Sequence, residues 1–329
     1  MSTSPAPRPP EPGPWPARLA LAAALAAVPL VLFGGSVTTL GAGMAVDGWL
    51  IAEGHFLLFF PVESWFRDTP TFVEHTHRLF GVLVGFFALA CALATWRAPV
   101  ARGARIVSAL ALLAVIAQGA LGGLRVLENE PRLAFVHGAV AQAVFALLAA
   151  NALVLSRAWR AAPALAREHE ASLGALRSVA GLALVLVYAQ VALGAWYRHG
   201  LRPSAVAGVE LRFALHGLGA LAVLAALAAL VRRGAALRSA GVELAPSFAR
   251  ALRILPALVL VQLVLGAMAW AGYRPHAIGP AEWGISIAHV LGGGLLLADV
   301  ACIWLWTRRL SRGESALAAG AGRPAWRTS

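Results

Sequence analysis

The chain has 329 residues, of which 60% are hydrophobic and 13% charged, and its mean hydropathy is +0.74. A soluble domain carries about a quarter charged residues, so a disordered chain and an ordinary soluble enzyme are both excluded. The net charge is +12 and every basic residue is Arg. A strongly basic chain raises the question of nucleic acid. Here the arginines stand in short loops between apolar stretches, where the positive-inside bias places them. The expected surroundings are therefore lipid, with no nucleic-acid partner.

In chain order, residues 1–17 are rich in Pro and Ser and read as a disordered tail. Eight apolar spans follow, at roughly 18–38, 75–96, 104–124, 134–156, 175–196, 212–231, 251–271 and 285–307. Each is long enough for a hydrocarbon core of about 30 Å. Helices are expected because lipid gives backbone groups of an open chain no other partner. The loop at about 41–74 gathers Asp47, Glu53, Glu63, Asp68 and Glu74. Roughly two thirds of the arginines fall on the opposite side, which puts both termini in the cytoplasm.

The element Gln-x-x-Leu-Gly occurs at 118–122, 190–194 and 262–266, near the ends of the third, fifth and seventh spans. After each come an outer loop and a His-bearing span. The expected fold is thus all-α and polytopic, with eight transmembrane helices in two pseudo-symmetric four-helix bundles. The halves are residues 18–160 and 161–310, followed by a cytoplasmic tail at 311–329.

Nine histidines are present. His55, His75, His169, His199 and His276 read as surface or loop residues. His77, His137, His216 and His289 fall in the first turn or two of the second, fourth, sixth and eighth spans. With both termini inside, all four lie toward the outer face at one depth. A lone His near a helix end is usually a partner in an interhelical hydrogen bond, but four at matched places in a repeated frame favour ligation. Polar groups at membrane depth are costly and usually functional. Two imidazoles on facing helices suit the axial positions of a haem iron. Four residues on stand Gly81, Ala141, Ala220 and Gly293, small enough to leave room for a flat macrocycle or to let helices pack closely. No carboxylate or thiolate completes a tetrahedral zinc set. Cys91 and Cys302 lie inside apolar spans and read as buried structural thiols.

Glu74 precedes His77 by three residues, on one helix face. It suits proton transfer or substrate steering, or a helix N-terminal acid favoured by the dipole. Arg78, Arg125 and Arg212 share the outer level, where they suit haem propionates by forked hydrogen bonds or anchor the interface. Asp299 lies well inside the eighth span and needs a partner there; no role is assigned to it.

These residues resemble the haem A synthase family over nearly the whole chain. The resemblance rests on Gly34-Gly35-Ser36-Val37-Thr38 with Gly41-Ala42-Gly43-Met44, on Glu74-His75-Thr76-His77-Arg78-Leu79-Phe80-Gly81, and on the run at 118–123. The single His of each later even-numbered span completes it. The resemblance implies that His216 and His289 hold a haem b cofactor and that His77 and His137 flank the site of the substrate haem O. It also implies that Glu74 is functional, and that the C8 methyl of haem O is oxidised to a formyl group by successive hydroxylations. The product, haem A, would go to terminal oxidases. Implied partners are haem O, the farnesyltransferase that makes it, a redox partner and a second copy of the chain. The implied location is the cell membrane, with the haem sites toward the outer face. Many bacterial members carry a Cys pair in the first outer loop; this chain has none, so a thiol-based step there is absent. A farnesylated haem is too apolar to leave lipid, which agrees with an embedded enzyme. The rival expectations are a di-haem b electron carrier using the same four histidines, and a repeat-built transporter with histidines as proton relays.

Overall fold

The structure is a computed structural model that describes residues 12–162, 165, 167–200, 208–272 and 278–311. Most of the two expected tails, together with Arg202, Arg274 and His276, lies outside the described residues.

Among the described residues ten α-helices follow in order: α1 Trp15–Thr39, α2 Val62–Trp65, α3 Thr69–Arg97, α4 Arg102–Glu128, α5 Pro131–Leu155, α6 Arg157–Ala161, α7 Glu170–His199, α8 Val209–Ser239, α9 Pro246–Gly272 and α10 Pro280–Ser311. All but α2 and α6 are long and apolar enough to cross a membrane. The chain is an all-α, multi-pass membrane protein. The loop between α1 and α3 holds a two-stranded antiparallel hairpin, β1 Ile51–Ala52 against β2 His55–Phe56, with Ile51 opposite Phe56.

Several helices outrun the apolar windows because a proline or a polar cap starts them before the apolar pattern begins. α1 already starts at Trp15, with Pro16 in its first turn, where proline lacks only an N–H that would have no partner anyway. The tail expected to reach residue 17 is therefore shorter. α3 begins at Thr69, six residues before the apolar pattern, because Asp68 caps it: its side chain accepts from the Thr71 backbone N–H at 2.8 Å. α5 starts on Pro131 behind Glu130, whose side chain accepts from the Arg132 N–H.

Within the first half of the chain α1 packs on α3, α3 on α4, α4 on α5, and α5 on α1; in the second half α7, α8, α9 and α10 neighbour one another in the same cyclic order. α10 also meets α5 and α1, and α7 meets α5. One continuous buried core runs through all eight long helices, from Ala23 and Ala27 to Ile303 and Trp306. Small residues such as Ala20, Ala180 and Ala183 face inward, while Leu25, Phe86, Leu113, Val185, Leu218 and Leu260 face outward. That inversion follows from the solvent: lipid rewards no burial of Leu, and close helix approach needs small side chains.

The Thr71 N–H holds the Asp68 carboxyl below its usual value. A lowered value means stabilisation that is complete above the ordinary carboxylate range and lost as pH falls through the lowered value. Asp68→Ala is expected to lower the Tm of the solubilised protein at neutral pH, and Asp68→Asn to keep most of it. In thermal melts against pH, the gap between wild type and Asp68→Ala should close below about pH 4.

Candidate metal-ligating site

His77, His137, His216 and His289 lie about two turns inside α3, α5, α8 and α10. Each helix starts earlier than its apolar window, so His77 and His289 sit slightly deeper than the first turn or two expected. All four rings are seated in the same way. A methyl placed on Gly34 of α1 would come within 2.8 Å of His77 Cε1; on Gly122 of α4, within 2.9 Å of His137; on Gly194 of α7, within 2.9 Å of His216; on Gly266 of α9, within 3.0 Å of His289. Real Cβ atoms do not approach so closely, so each ring rests on the bare backbone of the preceding long helix.

One turn before each glycine stands the group that holds the ring. Gln118 Nε2 donates to the His137 carbonyl at 2.7 Å and lies 3.1 Å from its Nδ1. Gln190 does the same at His216, at 2.8 and 3.0 Å. Gln262 Nε2 donates to the His289 carbonyl at 3.0 Å. In α1 the corresponding residue is Leu30, and its carbonyl lies 3.1 Å from His77 Nδ1. The repeated Gln-x-x-Leu-Gly element is thus a device for seating histidines. Its fourth copy, Leu30 to Gly34, keeps the spacing but loses the Gln, so the letter pattern hides it.

The rings of His77 and His137 are 6.4 Å apart between centroids and nearly perpendicular, at 87°. Arg78 and Arg125 lie within electrostatic range of His77. His289 lies within range of His216 and of Arg198. Tyr197 lies nearly parallel to His216 at 6.4 Å, Phe213 is 5.6 Å from Tyr197, and Trp270 is stacked on Phe213. Among the described residues no three His, Cys, Asp or Glu side chains converge as a metal cluster; the histidines offer themselves in twos. The expected space beside each ligand is uneven. Nothing lies within 4 Å of a methyl placed on Gly81, whereas one on Gly293 would meet Gln262 and Val191 at 3.4 and 3.8 Å.

Glu74 is buried, and both its oxygens are engaged. Oε2 accepts from the backbone N–H groups of Ala45 and Val46 at 2.7 and 3.0 Å, and Oε1 accepts from Arg78 at 2.7 Å. Arg78 in turn donates to the carbonyls of Val46 and Gly48 at 2.8 Å each. Arg125 donates to the Gly43 carbonyl at 2.7 Å. These groups fasten the α1–α3 loop over the helix ends. Arg212 instead lies over Trp196, 5.0 Å from the ring centroid.

Two histidines expected at the surface are elsewhere. His75 is buried, stacked on Phe60 at 4.5 Å with Trp65 edge-on at 5.3 Å, so it turns away from the His77 pair. His199, at the end of α7, comes within electrostatic range of His137. Neither placement is readable from spacing, since both depend on how the loop and α7 fold back. Cys91 is buried against Thr95, Ser108, Asn151 and the Pro16 carbonyl. Asp299 is buried, with Oδ2 lacking a partner among the described residues.

A profile of the COX15-CtaA family, described as cytochrome oxidase assembly protein, matches residues 17–207. Over 129 residues the chain is 33% identical to a protein named heme A synthase from Paracoccus denitrificans (strain Pd 1222). That stretch is 36% of this chain and 32% of the relative, so the alignment spans about a third of the relative's length.

Gly194→Ala or Gly122→Ala should push the facing ring off the helix and lower the Tm of the purified protein, an overpacking effect of about 1–3 kcal/mol. Gly119→Ala, whose methyl meets nothing within 4 Å, should be neutral or slightly stabilising. Parallel thermal melts of the three variants check this.

Proposed function

The chain belongs to the COX15-CtaA family of cytochrome oxidase assembly proteins, and from that premise we propose that it is an oxidoreductase converting haem O into haem A. The reaction oxidises the C8 methyl of haem O to a formyl group. His77 and His137 take the iron of the substrate, and His216 and His289 hold a resident haem b. The observation that carries this reading is the His77–His137 pair. Two imidazoles on opposite sides of one metal, each bonded at about 2 Å, have ring centres roughly 6 Å apart, and the rings here are 6.4 Å apart on facing helices.

The donor set fits a tetrapyrrole iron in other respects. The imidazoles come in pairs and are seated by glycines. Their Nδ1 atoms lie toward the neighbouring helix, which leaves Nε2 for ligation, and Gly81 leaves open space beside His77. A bound haem b supplies one-electron chemistry at its iron. The protein's own part is to fix the rings, shield the site and govern access. The Leu30 carbonyl can only accept, so His77 carries its proton on Nδ1 and presents a lone pair at Nε2. Arg125 lies at the same level as that pair and suits an acidic side chain of a haem, whereas Arg78 is taken up by Glu74 and the loop carbonyls. Glu74 acts as a positioning residue, since both its oxygens hold the loop and Arg78 rather than facing a reacting atom. The Arg asymmetry supports a cell-membrane protein with both termini in the cytoplasm and the haem sites toward the outer face. Haem O, the farnesyltransferase that produces it and an electron acceptor are the partners this chemistry requires.

The reading is tested in cells that make haem O but no haem A. Expression of the chain should yield haem A on extraction and chromatography. Recovery of haem O alone overturns the reading; two haems b with no haem A would identify an electron carrier instead. Purified His216→Ala or His289→Ala should lose the low-spin haem b spectrum, and an unchanged spectrum removes them as ligands. Glu74→Ala leaves Arg78 buried and unpaired, a loss of about 3–5 kcal/mol. It should make residues 42–67 protease-sensitive as well as abolish haem A; a loop as resistant as wild type would show that Glu74 does not fasten it.

A further inference from the structure

Gln118, Gln190 and Gln262 share a feature that their contacts with the histidines do not explain. The amide nitrogen of each donates to a His carbonyl, while the amide oxygen of each is buried with no partner among the described residues. His289 Nδ1 likewise has none. A buried acceptor left without a donor is costly, by about 1–3 kcal/mol, and here it recurs at three equivalent places in α4, α7 and α9. An imidazole that binds a metal through Nε2 carries its proton on Nδ1 and needs an acceptor there. At His77 that acceptor is the backbone carbonyl of Leu30. At the other three histidines the adjacent group is a glutamine amide, whose nitrogen and oxygen exchange places by a half-turn of its last torsion.

We propose that Gln118, Gln190 and Gln262 are positioning residues for the iron-binding imidazoles. Each amide turns so that its oxygen accepts from Nδ1–H when Nε2 is ligated, giving up its hydrogen bond to the His carbonyl, and returns its nitrogen to the ring and that carbonyl when it is not. His77, tied to a carbonyl that cannot turn, is the one imidazole of the four fixed in the ligating tautomer. The amide oxygen makes the ring a stronger donor to iron and favours the oxidised haem, as outer hydrogen-bond acceptors do. This rests on the proposed haem b at His216 and His289.

The test uses full-length purified protein and three residues at position 190. Wild type, Gln190→Leu and Gln190→Glu are compared for haem retention, low-spin spectrum and midpoint potential, with Gln262→Leu and Gln262→Glu as a second pair. Gln190→Leu removes the acceptor and should weaken haem retention by about 10–100-fold and raise the potential. Gln190→Glu, a stronger acceptor of the same shape, should retain haem and lower the potential below wild type. Equal shifts of the potential in the Leu and Glu variants at both positions, or none, overturn the proposal, because a packing role does not distinguish the sign of the acceptor. If one position yields no folded variant, the other pair decides. A wild-type protein without haem overturns the underlying reading and the proposal with it; a haem-bearing wild type with unmoved variants overturns the proposal alone.

Discussion

The contact between a histidine ring and a bare stretch of helix backbone organises this membrane protein. A ring at that depth has to lie between two helices, and its nitrogen needs a partner that lipid does not provide. Glycine at 34, 122, 194 and 266 removes the side chain that would otherwise fill the gap. The residue one turn earlier supplies the hydrogen-bonding group. Together these two positions fix how closely each helix pair approaches and which ring edge faces its neighbour. The remaining apolar packing follows, with small residues between helices and large ones turned to lipid. Because the arrangement is repeated on α1/α3, α4/α5, α7/α8 and α9/α10, four imidazoles arrive at related places without a dedicated metal-binding loop.

The α1–α3 loop is bound to the same frame through charge. The Glu74–Arg78 pair is almost wholly buried, at 2% and 8% side-chain exposure. Burying two charges is expensive unless every remaining donor and acceptor is satisfied. Here they are satisfied by loop backbone: two N–H groups for the carboxylate and two carbonyls for the guanidinium. An ion pair one turn around His77 therefore determines where residues 45–48 lie, and Arg125 adds Gly43 to the same set. The loop is held by polar contacts to α3 and α4 and by a small buried cluster of Val46, Ala52 and Phe60, so it can shield the His77 pair.

How much of this could be read beforehand depends on the range of the interaction. The eight helices were legible because about 20 apolar residues in a row leave few alternatives. The four histidines were legible because one polar residue recurs in each even-numbered span. Helix starts were not, since Asp68 and Glu130 cap their helices outside the apolar pattern. The part played by Gln118, Gln190 and Gln262 was hidden because a glutamine and the histidine it holds are 19 to 27 residues apart. Leu30 was hidden because a backbone carbonyl leaves no trace in side-chain identity. Glu74 looked like a free acid beside a ligand, and only the path of residues 45–48 shows its oxygens occupied. His75 owes its burial, and His199 its place near His137, to tertiary folding of a loop and a helix end, which no local pattern encodes.

The end of α1 joins the two halves of the chain. Gly34 carries the His77 ring, and the next residue, Gly35, abuts Ile287 of α10 while its carbonyl accepts from Arg198 of α7. Arg198 also reaches Thr39, and Trp283 of α10 donates to Ser36 at 3.0 Å. Arg198 and α10 in turn flank His289. One turn of helix thus supports the first imidazole pair on one face and grips the elements around the second on another. The same packed core runs through all eight long helices, so the seat of His77 and the hold on α7 and α10 are two faces of one stretch of α1.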